Sequence, residues 1–437
     1  MNEWRLDDAG LALTTASAAA AQRWNALLDD YAIFRSSVPD RLRELLEADP
    51  QLTLAWTVRS ALLMLSGKAE FLEPARIAAE RAAALATKAT RRERCYADAA
   101  VAWAADDVAT ARGLWETILF EAPQDLLALK LAQFAHFYTG DSDAMRRSVL
   151  QVADAWSEAS PRYGRYLGTR AFALEEAGDI AAAEHDGRAA VVWGRHDAWA
   201  IHAVAHCLET RAAPEEGKDW IDGLEGDWSG AGTMDGHLRW HRALFALEAD
   251  GPEAVLADFD DGIRIRGSEE YLDLCNDISM LQRLELRGVD VGRRWVEIAD
   301  AVERRAAATT LAFCDVHWAL GLAAAGRATA VRALLDRLAS TGASIRSDAL
   351  AYRLAAAPTA RGLIAFRSGA FEEALELLLR ARPHWSRLGG SHAQRDLFAQ
   401  ILAATAAGAG EAALLARLED ERLKARPHER TWLPSAA

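Results

Sequence analysis

The sequence predicts an all-α protein, an α-solenoid of antiparallel helix pairs, on three observations. Proline is scarce, with 11 in 437 residues, while alanine, leucine, arginine and glutamate dominate, a composition that favours helix along the whole length. No alternating β-branched run of the kind that marks a half-buried strand is present. A small or turn-forming start followed by a helix of small residues and leucines recurs in ADDVATARGLWETIL, TGDSDAMRRSVL, AGDIAAAEHDGRAAVV, APEEGKDWIDGL, DGPEAVLADFDDGI, AGRATAVRALL and SGAFEEALELLLRA.

From Asp106 through Gly140, Gly178, Pro214 and Gly251 these starts are spaced by 34, 38, 36 and 37 residues. That period is the signature of tetratricopeptide-type helix pairs, units that cannot bury their own apolar face and so stack on their neighbours. The expected organisation is therefore a single helical-repeat domain over 1–437, with a helical cap at 1–50 and a C-terminal helical region at 384–437. Clustered glycines make WSGAGTMDG (228–236) and WSRLGG (385–390) the loop candidates.

Half of the residues are hydrophobic, enough for a large interior, and the net charge of −14 argues against nucleic acid and anionic membrane as partners. No apolar run approaches a membrane span. MNEWRLDDAG does not read as a secretion signal. Cys95, Cys207, Cys275 and Cys314 form no CxxC pair, so reduced thiols and a cytoplasmic location are expected.

IHAVAHCLET carries the strongest chemical signal. On one helix His202, His206 and Glu209 fall within an arc of roughly 60°, opposite Ile201, Val204 and Leu208. HLRWHRALFALE repeats the arrangement with His237, His241 and Glu248, beside Trp240 and Leu244. Five of the eleven histidines lie between His196 and His241. Such rows are also what a hydrogen-bonded polar seam produces. In tetratricopeptide packing, however, His202 and His206 fall where helices meet, and burying imidazoles there is costly unless they are satisfied. A closed pocket is the favoured reading.

Imidazoles on facing helices suit a divalent metal such as zinc, which makes His202, His206, His237 and His241 the metal-ligand candidates; HExxH is absent. Without metal, a histidine beside a carboxylate moves protons near neutrality, so His202, His206, Glu209, His237, His241, Asp315 and His317 are the catalytic candidates. Asp315 with His317, and Glu209 with His206, are the pairs the sequence offers. In GGSHAQRD, Ser391 and Gln394 match a capping box, placing His392 in the first turn and Arg395 one turn on. Free N–H groups and a guanidinium there suit a carboxylate or phosphate; an ordinary cap with Arg395 in an internal ion pair is the alternative.

HAVAHCLE, HLRWHRALFALE, FCDVHWAL and GGSHAQRDLF, in that order, resemble the tetratricopeptide repeat protein 38 family over most of the chain. The matching positions are His202, His206, Glu209, His237, His241, Asp277, Asp315, His317, His392, Gln394, Arg395 and Asp396, and Cys95 stands where the family pattern leads one to expect histidine. The resemblance implies helical repeats and no settled reaction. Asp277, Ser391, His392, Arg395 and Trp240 complete the site as ligand-binding candidates. The expected function is binding, and chemical transformation, of a small anionic or peptide-like molecule by acid/base or metal-assisted chemistry. The alternatives are a noncatalytic peptide-binding module and a scaffold; a homo-oligomer is left open.

Overall fold

A computed structural model describes residues 4–305 and 310–426, and within them the protein is all-α apart from one short hairpin. The part of the 384–437 region beyond 426 lies outside the described residues. The hairpin pairs Arg5 with Leu13 and Leu6 with Ala12. It exists because Asp7 accepts the Ala9 and Leu11 N–H groups and Gly10 takes a positive φ, a local turn that the helix-rich composition does not reveal.

The helices come in consecutive pairs joined by tight turns, the tetratricopeptide-type arrangement. Nearly every such turn contains a residue with positive φ: Asp106, Gly140, Gly178, Ala212, Gly251, Gly288, Gly326, Gly369 and Gly410. Seven of them fall at or beside the recurring starts of the sequence, Gly288 and Gly410 being additional, and the left-handed residue ends one helix so that the next can fold back on it. At Asp106, Asp107 then caps the following helix by accepting the Thr110 N–H at 3.0 Å.

The helices gather into two compact units. The first takes the chain up to Phe137, then Asp141–Val204 and Gly226–Met234; the second takes Tyr138–Gly140, Ala205–Glu225 and Asp235 onward. In the first, the Tyr163–Glu176 and Ile180–Trp193 helices form a closely packed pair, with Gly187 seated against Val204 and Ala171. In the second, the Tyr271–Leu286, Ala312–Ala324 and His392–Gly408 helices pack around one core that includes Ile278, Leu281, Trp318, Leu397, Phe398 and Ile401. Among the described residues no helix is long and apolar enough to cross a membrane.

Both glycine-rich stretches are shorter as loops than the sequence suggests. Helix resumes at Thr233, and Arg382–Leu388 is a 3-10 helix, which leaves Gly389 and Gly390 as the turn. Gly390 has φ +75°, and a Cβ there would lie 2.5 Å from the Phe313 ring. Gly390→Ala is therefore expected to cost about 2–3 kcal/mol, combining left-handed strain with overlap in the core. A urea unfolding curve checks this.

Candidate functional site

Three of the histidines meet in the interior of the second unit. His206 is on the Ala198–Thr210 helix, and His237 and His241 stand one turn apart on the Thr233–Ala249 helix. One nitrogen from each lies within 4.8 Å of the others. The His206 and His241 ring centroids are 4.6 Å apart and those of His237 and His241 4.8 Å. All three are buried, as is Trp240, whose ring stacks on His237 at 5.3 Å and meets His241 edge-on at 4.9 Å. Trp240 thus walls the cluster.

Burial pushes His237 and His241 well below the usual imidazole range, and each is lowered further by its imidazole neighbours; the Asn276 amide opposes this at His237, and Arg283 adds to it at His241. Both are neutral imidazoles at pH 7, the form whose ring nitrogens can bind a metal.

Charge begins beside the rings. Glu209, one turn on from His206, lies 3.6 Å from His241 Nδ1 and 3.5 Å from the Arg426 guanidinium, which also reaches Glu248 at 3.0 Å. Arg283 is almost wholly buried, stands 5.7 Å from the centroid of Trp240 and donates to the Ala393 carbonyl at 3.0 Å. Burial brings its pKa down to about 10, against the pull of Asp396 and Glu209. Asp396 sits among Arg422, Arg426 and Arg283, which outweigh its burial and hold it far below the ordinary carboxylate value. Three guanidiniums and three carboxylates therefore form one network beside the imidazoles.

Of the remaining candidates, Asp315, His317, His392 and Arg395 are placed differently from the single convergent pocket that the sequence suggests. His202, one turn before His206 on the same helix, has its ring against Phe172 and Trp199 at 5.4 and 5.2 Å. His317 is buried between Phe313 and Phe398, shares a 2.8 Å hydrogen bond from its Nδ1 with the Phe313 carbonyl, and has its pKa brought down by burial to about 4. The proposed Asp315–His317 pair does not form. Residues two apart on a helix point roughly 200° from one another, and Asp315 instead accepts two bonds from Arg337, at 2.6 and 3.0 Å, and one from the Tyr352 hydroxyl at 2.9 Å.

The imidazole that Glu209 approaches is that of His241, at 3.6 Å. Asp277 faces Arg264 at 3.4 Å. Ser391 and Gln394 make both bonds of the capping box, as their spacing predicts. The first helical residue after the cap, His392, is exposed, so the convergence of all the histidines is corrected there. Arg395 turns back to donate to the Gly389 and Gly390 carbonyls, bracing the glycine turn.

Arg283, Arg426 and Asn276 were not legible as site residues. The available signal at Arg283 was one cation within the mostly apolar face of DISMLQRLEL. Arg426 and Glu209 are 217 positions apart, beyond any helical spacing.

No family model matches the chain. Among solved structures it is similar to the structure of Naa15/Naa10 bound to HypK-THB, at 15% identity and a TM-score of 0.29, over 94% of this chain and 59% of that one. This chain therefore spans less than two thirds of that chain's length, and a likeness this distant says nothing about chemistry.

Proposed function

We propose that this helical-repeat protein binds a divalent, zinc-class metal through His206, His237 and His241, and that the resulting centre acts on a small anionic or peptide-like molecule. The observation carrying the reading is the approach of three buried imidazoles to within 4.8 Å of one another. Nitrogens about 2.0–2.1 Å from a shared zinc ion need only a modest further approach. His202, one turn before His206 on the same helix, is the proposed fourth imidazole. A bound ion would supply Lewis acidity. Glu209 would hold or take a proton beside His241, while Arg283 and Arg426 supply guanidinium groups for a carboxylate or phosphate. Membership of the tetratricopeptide repeat protein 38 family is part of the proposal and rests on the four ordered motifs.

A noncatalytic binding module or scaffold is the second reading. The commitment of Asp315 to Arg337 and Tyr352, and of Arg395 to the glycine turn, favours it, because groups held in internal bonds are not available to a substrate. Titration of the full chain with cobalt(II) tests the metal proposal. One equivalent should produce the visible absorption of a tetrahedral site, zinc should abolish that absorption, and His241→Ala should prevent it. A wild-type protein that gives no such absorption contradicts the proposal.

A further inference from the structure

The chain is nearly without lysine: of its 50 basic residues only Lys68, Lys88, Lys130, Lys218 and Lys424 are lysines. One of the five is inside. Lys130, in the apolar helix LLALKLAQFAHFY of the first unit, is buried. Its Nζ lies 4.5, 5.1 and 5.7 Å from the ring centroids of Trp199, Phe34 and Phe134. Among the described residues it has no carboxylate within ion-pair distance. It lines a small cavity with Gln133, Phe137, Met145, Thr169 and Phe172. Gln133 lends its amide N–H to the Met145 carbonyl at 3.0 Å, while its buried Oε1 has no hydrogen-bond partner.

We propose that Lys130 is an amine nucleophile that condenses with a small aliphatic aldehyde in this aromatic cage. The aromatic and thioether walls keep bulk water from the amine, and the cavity of about 10 Å³ is near water size, so the aldehyde must be of one or two carbons and the side chains around it must give way to admit it. A desolvated lysine without a counter-charge is the form in which an amine is reactive. The nitrogen lone pair attacks the carbonyl carbon, forming C–N as the C=O π bond breaks, and a nitrogen proton passes to the oxygen. Gln133 Oε1 can accept a hydrogen bond from the resulting carbinolamine hydroxyl, which leaves as water with the remaining nitrogen proton to give the imine.

Burial also brings the Lys130 pKa down to about 7, with Asp197 opposing the shift and Arg165 adding to it. About half of the side chain is then free amine at neutral pH, against well under one part in a thousand for an ordinary lysine. The test is acetaldehyde with borohydride on the intact protein at pH 7, followed by peptide mass mapping. N-ethylation of Lys130 should exceed that of each of the other four lysines at least tenfold and should level off above about pH 8. Lys130→Met should lose that adduct and leave the other four unchanged. Modification of Lys130 no faster than Lys88 or Lys424 overturns the proposal, as does its complete absence.

Discussion

Arg337→Met is expected to destabilise the chain by about 3–5 kcal/mol, the range for removing one partner of a buried ion pair. Asp315 is completely buried and Arg337 about one-quarter exposed, so the guanidinium can be lost far more readily than the carboxylate can find water. Tyr352 alone would then face it. Replacing both charges, as Asp315→Leu with Arg337→Met, should recover most of the loss, because no buried charge is left stranded and only the Tyr352 hydroxyl loses its partner. Urea midpoints for the two single variants and the double variant measure the coupling. Normal stability in Arg337→Met would show that Asp315 is not held as a structural anion, and would return it to the catalytic candidates.

Lys130→Met is expected to do the opposite. The folded protein holds this amine with a pKa of about 7, whereas an unfolded lysine titrates near 10.4. Between those values the unfolded chain binds more protons, so this contribution makes stability rise with pH across that window; below pH 7 it is at its lowest and flat. Methionine fills similar space without a charge to bury. The variant should therefore be more stable by roughly 3–4 kcal/mol at pH 7, with the advantage fading as the pH approaches 10. Denaturation at pH 7, 8.5 and 10 checks both the sign and the window. A variant less stable than wild type at pH 7 would mean that the aromatic cage stabilises an ammonium ion.

The helix pairs were legible because their turns require a left-handed residue, and Gly140, Gly178 and Gly251 advertise it. Ala212 and Asp106 occupy the same conformation without glycine, and there the period, not the residue type, carried the signal. The histidine rows were legible for the same reason: residues four apart on one helix share a face whatever lies opposite. What lies opposite was not legible. Asp315 with Arg337, Glu209 with Arg426 and Arg283 with Asp396 are tertiary pairs separated by 22, 217 and 113 positions, and helical periodicity says nothing about them. The GGSHAQRD segment shows both sides of this limit. Its capping box follows from a spacing of three, yet the direction of Arg395, back toward Gly389 and Gly390, depends on how the preceding 3-10 helix ends.

The most direct measurement is the metal content of untagged protein as purified, by elemental analysis, for wild type and for His206→Gln and His241→Gln. Glutamine keeps hydrogen-bonding capacity while removing the imidazole, so loss of metal can be separated from loss of fold by circular dichroism on the same samples. Close to one equivalent of a divalent transition metal is expected in the wild type and little in either folded variant. Wild-type protein that contains no metal and gains none on dialysis against zinc would contradict the metal proposal.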